Sequence, residues 1–196
     1  MQVTVAALMA TTPARDKFRP RSLESFYAQK YPADWQVQLV ADHHPTHTLG
    51  RKLNDMVTGM AWCDYFIIWD DDDWYSSHRL VRQITPLLNG YDGGYDYSGT
   101  SKIFYHDIRT DEGWQYTGNG SWLGAIAFTR AAWNRLKFRE TTPGVDNQWQ
   151  MNLKGNGFDL KDPALLIATI HSNNACPKHT FGSNWSRAAL PEFPRL

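Results

Sequence analysis

Tyr65-Phe-Ile-Ile-Trp69 runs directly into Asp70-Asp-Asp-Asp73 and then Trp74-Tyr75. The continuous apolar run predicts a short buried strand over 65–69, whose next residues emerge near the sheet edge. Four adjacent carboxylates repel one another there, and burying unpaired charge is costly. A divalent cation relieves that cost, and hard carboxylate oxygens suit Mg²⁺, Mn²⁺ or Ca²⁺. The competing reading is a solvated acidic turn, or a capping cluster favoured by the dipole of the helix that follows. The aromatic residues on both sides hold the turn in a defined, partly buried place, which favours the metal. In open α/β sheets, ligands bind outside the carboxyl ends of strands, so position and chemistry agree.

Outward from that turn, strand and helix patterns alternate, which predicts a parallel α/β core. The expected order begins with a buried strand over 3–9 and a helix over 21–29 with Leu23, Phe26 and Tyr27 on one face. A strand over 37–41 ends at Asp42. A loop over 42–48 follows, then a helix over 50–61 in which Leu53, Met56, Val57 and Met60 recur at helical spacing. After the aspartates a helix over 78–88 turns Leu80, Val81, Ile84, Leu87 and Leu88 inward. The second half changes character. Strands over 97–105 and 114–116 flank a turn at 110–113, and a strand over 123–128 precedes a helix over 130–136. A helix over 145–154 is stopped by Gly155-Asn-Gly157, and a last strand covers 165–170. From His171 the chain is rich in Asn, Pro, Gly and Ser, and reads as a tail packed over a surface. One domain of 196 residues results, with no repeats and no linker.

Composition narrows the function classes. Twenty Lys plus Arg balance twenty Asp plus Glu, so the average charge does not mark a nucleic-acid binder. Nine Trp stand beside nine Tyr and nine Phe; core packing is the default for any one of them, a flat platform for a sugar or base the alternative. Cys63 and Cys176 have no metal or disulfide spacing, which points to a reducing compartment. The apolar start lacks a basic leader, and no run approaches the ~18 apolar residues of a membrane span. A cytoplasmic protein is expected.

The stretch from Gly59 to Tyr75, continuing to Arg79-Leu80 and Gln83, resembles the family 2 glycosyltransferases, whose D-x-D signature ends a central strand ahead of an aromatic residue and an Arg-Leu pair. Other pieces match in order. Thr11-Thr-Pro-Ala-Arg15 is similar to the family's first nucleotide-binding loop, and Asp42 stands where the family places an Asp against the base. Thr48-Leu-Gly-Arg-Lys-Leu-Asn54 is similar to its G-x-K-x-N segment. Ser121–Phe128 resembles the acceptor-side strand, Gly144-Val-Asp146 takes the place of its Glu-Asp pair, and Ile170-His-Ser-Asn173 resembles its late His segment. Two departures stand out: Val145 replaces the acidic residue before the base Asp, and the second strand ends in a single Asp.

The resemblance implies a GT-A type α/β fold. A Rossmann-like half with a mixed central sheet (about 1–98) would bind the nucleotide sugar, beside a smaller α+β acceptor half (about 99–170) and a tail (171–196) over the site. It implies transfer from a nucleoside-diphosphate sugar, UDP-sugars being commonest, with inversion and with Mn²⁺ or Mg²⁺. Asp70 and Asp72 are the candidate cation ligands, with His171 either completing the set or simply ending a strand. Thr11, Arg15, Asp42, Lys52, Asp70 and Asp71 are the candidate nucleotide contacts. Arg15 and Lys52 could equally be solvated cations, and Arg51 could take the place of Lys52. Asp146 is the candidate general base, its position near a helix start being consistent with a plain cap as well. Trp74 and Trp122 are candidate sugar platforms. His43, His44 and His47 are too loosely spaced for zinc. The acceptor is expected to be a glycan, a small molecule or a hydroxymethylated DNA base, with Arg130, Arg135, Lys137 and Arg139 as a possible phosphate-binding strip. The alternatives are a nucleotidyltransferase of similar fold, which would bring a Gly-rich first loop absent from Thr11–Arg15, and a non-catalytic sugar-binding module.

Overall fold

The computed structural model describes residues 2–88, 94–117, 123–174, 178 and 180–195. The elements in chain order are β1 (Thr4–Ala10), α1 (Arg19–Tyr27), β2 (Gln36–Asp42), α2 (Leu49–Gly59), β3 (Tyr65–Ile68), β4 (Trp74–Tyr75) and α3 (Arg79–Ile84). Then follow β5 (Tyr97–Thr100), β6 (Lys102–Asp107), β7 (Glu112–Thr117), β8 (Gly124–Thr129), α4 (Arg130–Arg135), α5 (Val145–Leu153), β9 (Gly157–Asp159), β10 (Leu166–Ile170) and β11 (Trp185–Arg187). They form a six-stranded sheet ordered β2-β1-β3-β8-β5-β9 and a five-stranded sheet ordered β11-β7-β6-β10-β4.

In the larger sheet β1 runs parallel to β2 and β3, whereas β3 and β8 are antiparallel. The parallel trio brings three carboxyl ends to one edge. Ala10 sits opposite Asp42, and Leu8 opposite Ile68, so the Thr11 loop, Asp42 and Asp70 emerge side by side. Both faces of this sheet are covered. Along β1, Ala6 and Leu8 join one core with Phe66 and Ile68, while Val5, Ala7 and Met9 join the other with Ile67 and Trp69. Strands buried on both sides read as continuous apolar runs, which is why β1 and β3 are visible in the sequence.

Helix α2 presents Leu53, Met56 and Val57 to the second core, as its spacing predicts. It starts where the Thr48 hydroxyl accepts the Arg51 N–H. A β-carbon at Gly50 would collide with the Arg139 carbonyl oxygen, so only glycine lets α2 approach the 139–140 backbone. Trp35, Trp69, Trp133 and Trp149 are buried core residues.

Three expectations need correction. The run over 97–105 is not one strand: it breaks at Ser101, whose N–H and hydroxyl both donate to the Asp159 carboxylate at 3.0 and 2.6 Å. That clamp passes the chain from the larger sheet, in β5, to the smaller, in β6. Tyr27 is not inward-facing but 77% exposed. Instead α1 buries Arg21, Ser22 and Ser25, because it packs on backbone carbonyls of the aspartate turn: Ser22 Oγ donates to Asp70 O at 2.7 Å. The helix expected over 78–88 ends at Ile84 and tightens into a 3-10 turn, Thr85–Leu87, where Pro86 has no N–H to continue the ladder. Trp74 and Tyr75 form the short strand β4, antiparallel to β10, and pin the aspartate turn between two sheets. Among the described residues no helix is long and apolar enough to cross a membrane.

Candidate active site

A cleft of about 550 Å³ opens above the carboxyl ends of β1 and β3. Its volume lies within the usual range for small-ligand sites. Asp70 and Asp72 line the cleft, as do Asp146 and the start of α5. Thr11, Arg15 and Lys52 also belong to its lining.

The aspartate turn is held by backbone anchors. The Asp72 carbonyl accepts from Arg21 Nη2 at 2.7 Å and from Thr169 Oγ1 at 2.6 Å. The Asp73 carboxylate accepts the Thr169 N–H at 2.8 Å, and the Asp70 N–H donates to Tyr75 Oη at 2.8 Å. The four carboxylates therefore have different surroundings. Asp71 is wholly buried and meets the Arg15 guanidinium at 2.6 Å; Asp70, Asp72 and Asp73 border the cleft, Asp73 with its carboxylate bonded to β10.

Burial and the neighbouring negative charge of Asp72 push Asp70 up to about 7, and burial lifts Asp71 to about 6 against the pull of Arg15. Asp73 rises well above the carboxylate range for the same reasons as Asp70. Asp72 goes the other way: burial raises it, but the hydrogen bond from His171 and the charge of Arg15 outweigh that. The group is under-neutralised, and its hard oxygens match the donor set of Mg²⁺ or Mn²⁺. The residues present fit a divalent cation.

His171, at the end of β10, is buried and stacks on Phe18 with ring centroids 4.1 Å apart. Its Nδ1 accepts the Asn173 N–H at 3.0 Å, so the proton of the neutral ring lies on Nε2, which donates to Asp72 Oδ2 at 2.9 Å. In this arrangement His171 aims Asp72 rather than offering a lone pair of its own. Asn174 Nδ2 adds a donor to the same oxygen at 3.3 Å.

Lys52 is buried, and its Nζ donates to Thr11 O at 2.5 Å. Burial lowers its pKa, with Asp42 and Asp71 resisting. Arg51 points away, paired with Asp55 at 3.0 Å, so Lys52 is the member of that pair that faces the cleft. Asp42 turns into its own loop, where Oδ1 accepts the His44 N–H at 2.7 Å. Among the described residues, Asp42, His47 and Asp55 have potential ligand atoms within 4.8 Å of one another, with Arg51 already on Asp55.

Asp146 is the second residue of α5. Gly144, the cap residue, has φ +65°, a left-handed conformation that suits glycine, and it lines the cleft together with Val145, Asp146 and Asn147. Burial raises the Asp146 pKa, against its backbone hydrogen bonds and the charge of Lys178. Lys178 and Tyr105 also line the cleft, the ammonium lying 5.9 Å from the ring centroid. Sequence reading missed both: Lys178 has no motif around it, and Tyr105 reads only as strand. Trp74 packs against Phe193 and does not form part of the cleft wall, while Trp122 lies outside the described residues.

No known family profile matches the chain, and no curated protein sequence does. Solved structures do. A mannosyltransferase from Pyrobaculum calidifontis, in complex with GDP-Man and Mn²⁺, superposes with a TM-score of 0.62 at 13% identity, over 87% of this chain and 58% of that one. Residues 1–349 of S. aureus TarS give 0.61 at 12%, over 85% and 60%. The chain has a GT-A-like glycosyltransferase fold. It spans about three fifths of the length of those two glycosyltransferase-fold chains. A structure from STIV shares the fold more loosely, with a TM-score of 0.51 at 14% identity over 84% of this chain and 83% of that one.

Proposed function

We propose that this protein transfers a glycosyl group from a nucleoside-diphosphate sugar to an acceptor hydroxyl. The observation that carries the reading is that Asp70, Asp72 and Asp146 line one cleft, on a fold whose solved examples include complexes with GDP-Man and Mn²⁺ and with UDP. The donor half is about 1–98. Lys52 and Arg15 are the cationic partners of the diphosphate, and Thr11 the contact toward the base, for which uridine is our first choice; Asp42, turned into its own loop, is not part of the cleft lining.

Asp70 and Asp72 would hold Mn²⁺ or Mg²⁺, which neutralises charge on the leaving diphosphate. Asp146 takes the proton of the acceptor hydroxyl as its oxygen bonds to the anomeric carbon. The bond from that carbon to the phosphate oxygen breaks, and its electron pair leaves with the nucleoside diphosphate. A base facing the leaving group across the sugar gives inversion. Burial raises the Asp146 pKa, and the ionised carboxylate is then the stronger base toward an acceptor hydroxyl. His171 orients Asp72, a role distinct from direct ligation.

The acceptor reading favours a glycan or small molecule over DNA. Arg130 of the basic strip is turned inward, donating to Cys63 O at 2.7 Å and Met60 O at 2.6 Å, and Arg135 is paired with Asp96 at 2.7 Å. Calorimetry with UDP and GDP tests the site. Binding should require Mn²⁺ and be lost in Asp72→Asn; equal binding in chelator and in the variant would contradict the reading.

A further inference from the structure

Asp72 borders the cleft, yet one of its oxygens is crowded. Oδ2 receives the Arg15 guanidinium, His171 Nε2 at 2.9 Å and Asn174 Nδ2 at 3.3 Å. The same guanidinium meets buried Asp71 at 2.6 Å. Arg21, the other nearby arginine, directs its bonds to the Asp72 carbonyl and Thr169 instead. Among the described residues, Arg15 is thus the arginine or lysine that touches carboxylate oxygens of the turn.

Arg15 is not fully satisfied there. It ends the short helical turn Pro13–Arg15 on the cleft wall, its side chain keeps 17% exposure, and its Nε is buried with no hydrogen-bond partner. A guanidinium forks readily onto phosphate oxygens, which would employ that idle donor.

We infer that Arg15 is an exchangeable counter-ion. Without donor it neutralises Asp71 and Asp72; when a nucleoside diphosphate enters, Arg15 turns onto the phosphates and releases Asp72 to the cation. This rests on the donor reading above. A guanidinium and a divalent cation on one carboxylate repel, more strongly in a cleft wall than in water. Cation and Arg15 therefore compete until the diphosphate removes Arg15, and cation and diphosphate bind cooperatively through this residue as well as through direct contact. By linkage the coupling is reciprocal.

The test is Mn²⁺ affinity of the wild type and of Arg15→Gln, each alone and with UDP or GDP. Alone, the variant should bind Mn²⁺ on the order of tenfold more tightly than wild type, within the usual range of site coupling. Nucleotide should then tighten Mn²⁺ less in the variant than in wild type. Unchanged or weaker Mn²⁺ binding by the variant alone overturns the exchange. Should the glutamine variant not fold, Arg15→Lys serves. One ammonium cannot fork across both carboxylates, so Mn²⁺ should tighten by a smaller factor, and unchanged affinity again overturns the idea. Wild type that binds Mn²⁺ with nucleotide while the variants match it leaves the transferase reading intact. Wild type that binds no Mn²⁺ under either condition removes that reading and this one together.

Discussion

Asp146 is the residue on which the proposed chemistry turns. Asp146→Asn should lower turnover by about 10²–10⁴-fold, the usual worth of a positioned base, with KM for the donor little changed. Steady-state kinetics on donor and acceptor checks this. A base must be ionised to act, and burial raises its pKa. Activity should therefore fall as the medium is acidified, along a limb displaced upward from an ordinary aspartate. A limb at the ordinary carboxylate position would assign the base elsewhere. At this scale the sequence showed where the carboxylates are but not what they touch. Four adjacent aspartates announce a charged turn; that Asp71 is buried on Arg15, and that Asp72 is aimed by His171 from 99 positions downstream, depends on folding distant segments together. Lys178 belongs to the same class of long-range placement.

Elements decide how precisely those residues are held. Gly144 caps α5 at φ +65°. Gly144→Ala forces a β-carbon into the left-handed region at roughly 1–2 kcal/mol. We expect a lowered Tm together with reduced turnover, because Asp146 is two residues along the same turn. Thermal melts paired with kinetics separate this from simple destabilisation: an unaltered kcat at a lowered Tm would mean that the cap does not aim the base. Gly50→Ala, by contrast, should push α2 off the Arg139 carbonyl and cost roughly 1–3 kcal/mol as overpacking, read as a drop in Tm. Elements buried on both faces were legible from sequence because their apolar runs are continuous, as in β1 and β3. The switch from β5 to β6 was not. Its cause, the Asp159 clamp on Ser101, lies 58 residues away and leaves no mark on the local pattern.

For the molecule as a whole, the aspartate turn makes stability depend on pH and metal together. Asp70 at about 7 and Asp71 at about 6 are raised above the unfolded value, so the folded state retains protons that the unfolded chain has lost. Stability should thus fall as pH rises from about 4 to about 7, the slope following the excess of protons bound by the native state. Asp72, whose pKa is depressed, contributes in the opposite sense only at more acidic pH. Metal-free Tm should accordingly be lower at pH 7 than at pH 5, and Mn²⁺ should raise Tm more at pH 7. A metal-free Tm that climbs across this window would show that the turn is neutralised by other means.

The central claim is that this cleft transfers sugar from a nucleoside diphosphate. It is tested most directly by nucleoside-diphosphate release from a panel of UDP-, GDP- and TDP-sugars, with Mn²⁺ or with chelator, in wild type and Asp146→Asn. Wild type should show slow, Mn²⁺-dependent release from one donor, strongly reduced in the variant. A folded wild-type protein that releases nucleotide from no donor in the panel, with metal present and acceptors supplied, would contradict it.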